Sequence, residues 1–460
     1  MTIFFPASVL ILLFAAIFCF FWATMFPKRR GLVLICLLTL LVLVIINGDR
    51  GEVGTLRFDR LSNFGFSLVL IFQVFILGIL KIFSKQTNKR KQFVYFFFIT
   101  STLGLYLVVH SYNLLAFLVG LELTLISLLF MGLSADKKIT LEAGYRFLFH
   151  NLAGTMVLLL VLFYFYSHFE SFHLAAQPVN LSSDNILPIL LLFLAIAHKL
   201  GLGPFYFWHL DWLEAAPMPV TTAIATSYRI AVLFFTFRVL RIYVPQASTE
   251  WTIVVTGFSL FSLLIPLLHA LAQNNFKRGF SSFLLAQLGL FFLPLALQPL
   301  KAQPPVLLVL LMSLICLIGL ISLISLYNPG DRRRLHDIIN PDTDPGGSQL
   351  AWAFLWLSLG FLPPTIGYVT KLIFASALIT SPTIIYFLLF LPGYLLLLAY
   401  CMKTARNYPL ALSTECETDL KVVAGKMFLK LSLITSLILT VSLMFLTKPI
   451  AYYIRHLLIE

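Results

Sequence analysis

What most constrains this chain is a pattern of apolar runs about twenty residues long, recurring from one end to the other and separated by short basic loops. A helix of twenty residues spans the hydrocarbon of a bilayer, about 30 Å. The closed-barrel alternative needs short alternating segments, and these are absent. We count fourteen spans, near residues 3–26, 31–47, 63–83, 92–110, 112–134, 142–166, 186–208, 220–243, 251–273, 279–298, 305–327, 349–380, 384–402 and 427–446. The expected class is therefore an all-α polytopic membrane protein. Of the 460 residues, 60% are hydrophobic and only 11% charged, so the formal net charge of +13 sits in the loops. There it sets topology, and no nucleic-acid partner is expected. The first run begins at Thr2 without a basic leader, which argues against a cleaved signal peptide. The five cysteines, Cys19, Cys36, Cys316, Cys401 and Cys416, form no CxxC or Cys/His cluster, so no metal site or disulfide framework is expected.

Two spans are interrupted. The seventh carries Gly201, Gly203 and Pro204, and the twelfth carries Pro363-Pro364. Glycine and proline release backbone groups from the helical ladder, and in lipid such groups persist only where they face protein or water. Broken helices five positions apart point to two inverted five-helix repeats containing discontinuous helices 7 and 12. Two unrelated proline kinks give the same pattern. The resulting division is a three-helix segment at 1–91, repeats at 92–244 and 245–402, and a final helix with its tail at 403–460. The loops after spans 1, 3, 5, 9, 11 and 13 hold most of the Lys and Arg, such as Lys28–Arg30, Lys89–Lys91 and Arg332–Arg334. They face the cytoplasm-equivalent side, and both termini face the other.

Four charges stand deep in otherwise apolar spans: Glu122, Lys199, Arg229 and Lys371. Each costs at least about 2.5–3.5 kcal/mol to insert at a helix centre. Such costs are tolerable where charges pair and water reaches them, and Glu122 with Lys199 is the expected pair. Lysine changes protonation readily when its partner moves, whereas arginine hardly titrates. Arg229 is therefore read as a fixed counter-charge. Arg146 and His150 share a face of the sixth span, and His150 and His198 are candidate proton relays. Each histidine is equally well read as a helix-packing residue. Gln287 and the pair Ser281–Ser282 either line a water path or join helices. Lys199 itself admits a second reading, a side chain snorkelling to the interface.

These residues carry a resemblance. KLGLGPFYFWHLDWLEAAPMPVTTAIATSYRIAVL, beginning at Lys199, is similar to the signature of the antiporter-like membrane subunits of respiratory complex I. Pro204, Phe205, Trp208, Asp211, Pro217 and Val220 fall in register with it. LVGLELTLISL resembles the segment bearing the family's glutamate, here Glu122. LEAGYRFLF, NNFKRGFSSFLLAQLG and LSLGFLPPTIGYVTK resemble the segments of the sixth, tenth and twelfth spans, the last supplying Lys371. Lys371, where a sibling type has glutamate, and the chain length favour the subunit 2 type. The match runs from about Tyr112 to Thr380. It departs at four places: Arg229 and Arg146 stand where the family has lysine, and Tyr206 and Gln287 where it has histidine.

The resemblance implies a core membrane subunit of proton-translocating NADH:ubiquinone oxidoreductase. In it Glu122 sets the charge state of Lys199, Lys199 holds the central proton, Arg229 and Arg146 bias the path, and Lys371 passes the proton on. It implies no cofactor in this chain, with FMN, iron–sulfur clusters, NADH and ubiquinone handled by other subunits. Implied partners are the antiporter-like subunit 4, the small subunit 4L and phospholipids including cardiolipin. The divergence and the 45 phenylalanines suggest a mitochondrial inner-membrane copy with termini in the intermembrane space. Two other readings remain, an Mrp-type cation/proton antiporter and a passive membrane scaffold.

Overall fold

The computed structural model describes residues 51–53, 55–83, 88–135, 137–174, 186–244, 248–327, 347–362, 365, 367–368, 384–406 and 420–459. Expected spans 3–26 and 31–47, the loop at 328–346, Pro363-Pro364 and Lys371 lie outside the described residues. Nine described helices are long and apolar enough to cross a membrane, and each coincides with one of the third to eleventh expected spans. The chain divides into two compact units. The first comprises Met1–Leu77, Ser84–Leu200 and Asp211–Pro245, and the second Gly78–Phe83, Gly201–Leu210 and Gln246–Glu460.

The first unit opens with a hairpin that hydropathy does not anticipate. Strands β1 (Gly51–Val53) and β2 (Leu56–Phe58) pair antiparallel, with Glu52 opposite Arg57. Asp59 then caps α1 (Arg60–Phe83): its Oδ1 accepts from Ser62 N at 2.7 Å, while Ser62 Oγ accepts from Asp59 N at 3.0 Å. Helices α2 (Asn88–His110) and α3 (Leu114–Leu133) pack closely. A Cβ at Gly104 would lie 2.8 Å from Gly120 O, and one at Gly120 would lie 2.9 Å from Gly104 O. The two backbones touch, which is how membrane helices associate where lipid removes the hydrophobic drive. Helix α4 (Lys138–Phe169) packs on α3 and on α5 (Leu187–Leu200).

The centre of this unit is α7, Met218–Tyr243, whose most apolar stretch is wholly buried. A helix that is apolar on every side belongs inside a bundle. It stacks Phe235 on Phe117 at 3.5 Å between ring centroids. Residues Ile224–Tyr228 form a π-helical turn. By contrast, α4 turns Tyr145, Phe149, Met156 and Phe163 outward, as a lipid-facing helix does.

Between α5 and α7 the helix is broken as expected, although the chain is helical again further than expected. Gly201 and Gly203 take φ of +73° and +64°, a turn of 3₁₀ helix covers Gly203–Phe205, and α6 runs from Tyr206 to Ala215, beyond the 208 read from sequence. A Cβ on Gly201 would meet the His209 ring at 2.6 Å. Left-handed backbone plus that clash predicts that Gly201→Ala lowers stability by about 1–3 kcal/mol. Thermal unfolding of the detergent-solubilised variant checks this, and an unchanged midpoint refutes it.

In the second unit α8 (Thr249–Ala272) and α9 (Phe276–Leu297) form another glycine-packed pair, since a Cβ on Gly289 would lie 2.7 Å from Leu263 N. Helix α10 (Gln303–Tyr327) packs on α13 (Leu420–Ile459), and α11 (Gly347–Leu359) on α12 (Ile384–Arg406). Trp352, Trp356, Phe280, Phe283 and Tyr400 interlock as an aromatic cluster.

Candidate functional site

The site begins with Lys199 in the last turn of α5, where the helix dipole favours a cation. Because the helix stops at the break, its final carbonyls lose their intrahelical donors. The carbonyl of Lys199 accepts instead from Tyr228 Oη at 3.1 Å. Tyr228 lies in the π-helical turn of α7, a distortion that often marks functional sites.

The Lys199 side chain is completely buried, whereas that of Glu122 on α3 is 18% exposed. Their Nζ–Oε1 distance is 2.5 Å. Two residues of α4, one turn apart, complete the cluster. Lys199 Nζ donates to Asn151 O at 2.9 Å, Asn151 Oδ1 at 2.7 Å and Thr155 Oγ1 at 2.8 Å. Asn151 Nδ2 donates to Glu122 Oε2 at 2.8 Å, and Thr155 Oγ1 to Glu122 Oε1 at 2.6 Å. Both carboxylate oxygens thus hold a bond from a neutral donor besides the lysine. Gly154 makes the approach of α5 possible, since a Cβ there would lie 2.6 Å from His198 Nδ1 and 3.3 Å from Lys199 Cε.

Glu122 and Lys199 are therefore brought together, as the sequence leads one to expect. His198 lies on the same side of α5 against α4, within electrostatic range of His150. Arg146 takes another partner, pairing with Asp211 at 3.2 Å with its side chain 67% exposed. Arg229 is buried, its Nη2 has no hydrogen-bond partner, and no described carboxylate pairs with it. Lys371 lies outside the described residues. Asn151, Thr155 and Tyr228 were not singled out from sequence, because neutral polar residues in an apolar helix ordinarily serve as packing contacts.

In the second unit Gln287 lines a small cavity with Ser313, Cys316 and Ser358. The cavity abuts the end of α11, where Phe361 takes φ of +59°. Ser282 Oγ meets His269 Nδ1 at 2.8 Å, and Ser281 Oγ is buried without a partner.

An ammonium and a carboxylate buried together are weak evidence for stability, because desolvation offsets their attraction. Their chemical capacity is to hold a proton that shifts when their separation changes. A family model described as "NADH:quinone oxidoreductase/Mrp antiporter, TM" matches residues 111–398. The NADH-quinone oxidoreductase subunit N of Hydrogenovibrio crunogenus is 29% identical over 226 residues, which cover 47% of this chain and 47% of that protein. The chain thus spans about half the length of that curated relative. A chain of respiratory complex I from Thermus thermophilus with bound aureothin matches with a TM-score of 0.76 at 21% identity, covering 94% of this chain and 98% of that one. A chain of the Mrp complex from a Dietzia species matches with a TM-score of 0.80 at 14% identity, covering 98% and 52%. At these identities the structural likenesses speak for the fold alone.

Proposed function

The chain belongs to the NADH:quinone oxidoreductase/Mrp antiporter membrane family, and from that premise we propose that it translocates protons as a core membrane subunit of respiratory complex I. The observation that carries the proposal is the buried Lys199–Glu122 pair beside a broken helix. A proton held there moves against the membrane field at about 2.3 kcal/mol per 100 mV. Changing the separation of two charges in a medium of low dielectric supplies energy of that order. In this reading Lys199 carries the proton, Glu122 sets its charge state, Arg229 is a fixed positive charge on α7, and Lys371 passes the proton onward. His150 and His198 are relay groups at the edge of the pair. Electrons from NADH to quinone pass through other subunits.

The finer arrangement belongs to the same proposal. Fourteen spans with two inverted five-helix repeats agree with the glycine-packed pairs α2–α3 and α8–α9, which stand at corresponding positions of the two halves. Basic loops and the phenylalanine-rich composition support a mitochondrial inner membrane with termini in the intermembrane space. Neighbouring antiporter-like and small membrane subunits, with bound phospholipid, are the expected partners.

Lys199→Met keeps the volume and removes the titrating group. In vesicles containing the assembled complex it is expected to lower NADH-driven proton uptake by about a hundredfold, the scale of losing a positioned proton-transfer group. A normal ratio of protons to electrons refutes the role. Sodium-dependent transport by the chain purified without quinone-reducing partners would establish the Mrp-type antiporter instead.

A further inference from the structure

The contacts around Lys199 offer one more hydrogen-bond position than an ammonium can fill. Its three hydrogens face four acceptors: Glu122 Oε1, Asn151 O, Asn151 Oδ1 and Thr155 Oγ1. Three of those oxygens can only accept. The hydroxyl of Thr155 alone can also donate. Its single hydrogen has two acceptors within reach, Glu122 Oε1 at 2.6 Å and Asn151 O at 2.8 Å. The hydroxyl therefore already has alternative orientations while its oxygen stays in place.

We propose that Thr155 is a positioning residue that reverses its hydrogen bond with Lys199 as the lysine gives up and regains its proton. With the lysine charged, Nζ donates to Thr155 Oγ1 and the hydroxyl donates to Glu122. When one proton passes from Nζ to water, the amine keeps two hydrogens and gains a free electron pair. Those two hydrogens stay on Asn151 and Glu122. The Thr155 hydroxyl then turns and donates to the nitrogen. One proton leaves, no electrons are transferred, and every polar atom of the cluster keeps a partner. That matters because a buried polar atom left unpaired keeps the whole cost of its lost hydration.

Asn151 supplies the fixed part of the device. Its Nδ2 holds Glu122 Oε2 at 2.8 Å in both states, so the carboxylate stays solvated by the protein when the hydroxyl turns away. Both residues stand on one face of α4, four apart, so reversal needs a hydroxyl rotation and no helix movement. Without the hydroxyl, the neutral amine has no donor among the four contacts.

The inference rests on Lys199 being the proton carrier, and the test separates the two. Proton uptake driven by NADH is measured in vesicles containing the assembled complex with Thr155→Val, Thr155→Ser and Lys199→Met. Valine keeps the branched shape and loses the hydroxyl, while serine keeps the hydroxyl and loses the methyl. We expect valine to lower uptake by about tenfold, the loss of one hydrogen bond to the buried amine, and serine to restore it. A contact that serves packing alone gives the opposite order. Loss with methionine at 199 but normal uptake with valine at 155 overturns the role of Thr155 and leaves the carrier intact. Normal uptake with methionine overturns both. Equal loss in valine and serine also overturns the proposal. Should the valine protein fail to assemble, Thr155→Ala against Thr155→Ser makes the same contrast, with loss expected only in alanine.

Discussion

Replacing Glu122 with leucine is expected to lower the stability of the first unit by about 3–5 kcal/mol, the cost of leaving one partner of a buried ion pair alone. Lys199 is fully buried and would lose its carboxylate partner while keeping the neutral acceptors Asn151 and Thr155. The reverse deletion is expected to cost less. After Lys199→Met, the carboxylate is still partly exposed and still accepts from Asn151 Nδ2 and Thr155 Oγ1. The double variant should therefore be more stable than Glu122→Leu alone, because methionine removes the stranded cation. Thermal unfolding of the solubilised protein measures all three. A Glu122→Leu midpoint equal to the parent's, or a double variant less stable than both singles, would sink this account.

Asp59→Leu is expected to produce a loss of the same size at the other cluster. Arg238 is buried, and its Nη2 reaches Asp59 Oδ1 at 3.1 Å and Oδ2 at 3.3 Å, while its Nη1 donates to Ser111 O at 2.6 Å and Val109 O at 3.2 Å. One guanidinium thus ties the hairpin, the loop before α3 and the end of α7. Removing Asp59 strands that charge, at about 3–5 kcal/mol. A pH effect follows. Burial pushes the Asp59 carboxyl upward, but the Arg238 guanidinium and the Ser62 hydrogen bonds outweigh it, so the net shift is below the ordinary carboxylate value. A lowered folded-state pKa stabilises the protein above the unfolded value, about 3.9, and that contribution is lost as the pH falls below it. Between neutral pH and about pH 5, Asp59→Asn should sit below the parent by a constant amount, and the gap should close on further acidification. A gap that persists undiminished as the pH falls below the unfolded carboxylate value removes Asp59 from the account.

The charges that could be read from sequence were those in the wrong solvent. Glu122 and Lys199 interrupt apolar runs, so their cost announces them and their opposite signs suggest the pairing. The helices between 60 and 327 follow from the same hydropathy. Three-residue strands carry no periodicity, and so the hairpin before α1 gave no sign of itself. Arg238 and Asp59 stand 179 residues apart at the ends of their helices, where charge is unremarkable in a sequence. Asn151 and Thr155 were hidden for another reason. Neutral side chains raise no insertion penalty that demands an explanation, and their work depends on which face of α4 meets α5. The π-helical turn depends on backbone register that residue types alone do not encode.

The bond from Tyr228 to the carbonyl of Lys199 has a mechanical consequence. One residue is gripped at its tip by α3 and α4 and at its root by α7, with the helix break just after it. Three fixed points on three helices define a triangle. Tilting any one of those rods tugs on the same amine, so distant mechanical work has a short lever arm by which to reach it.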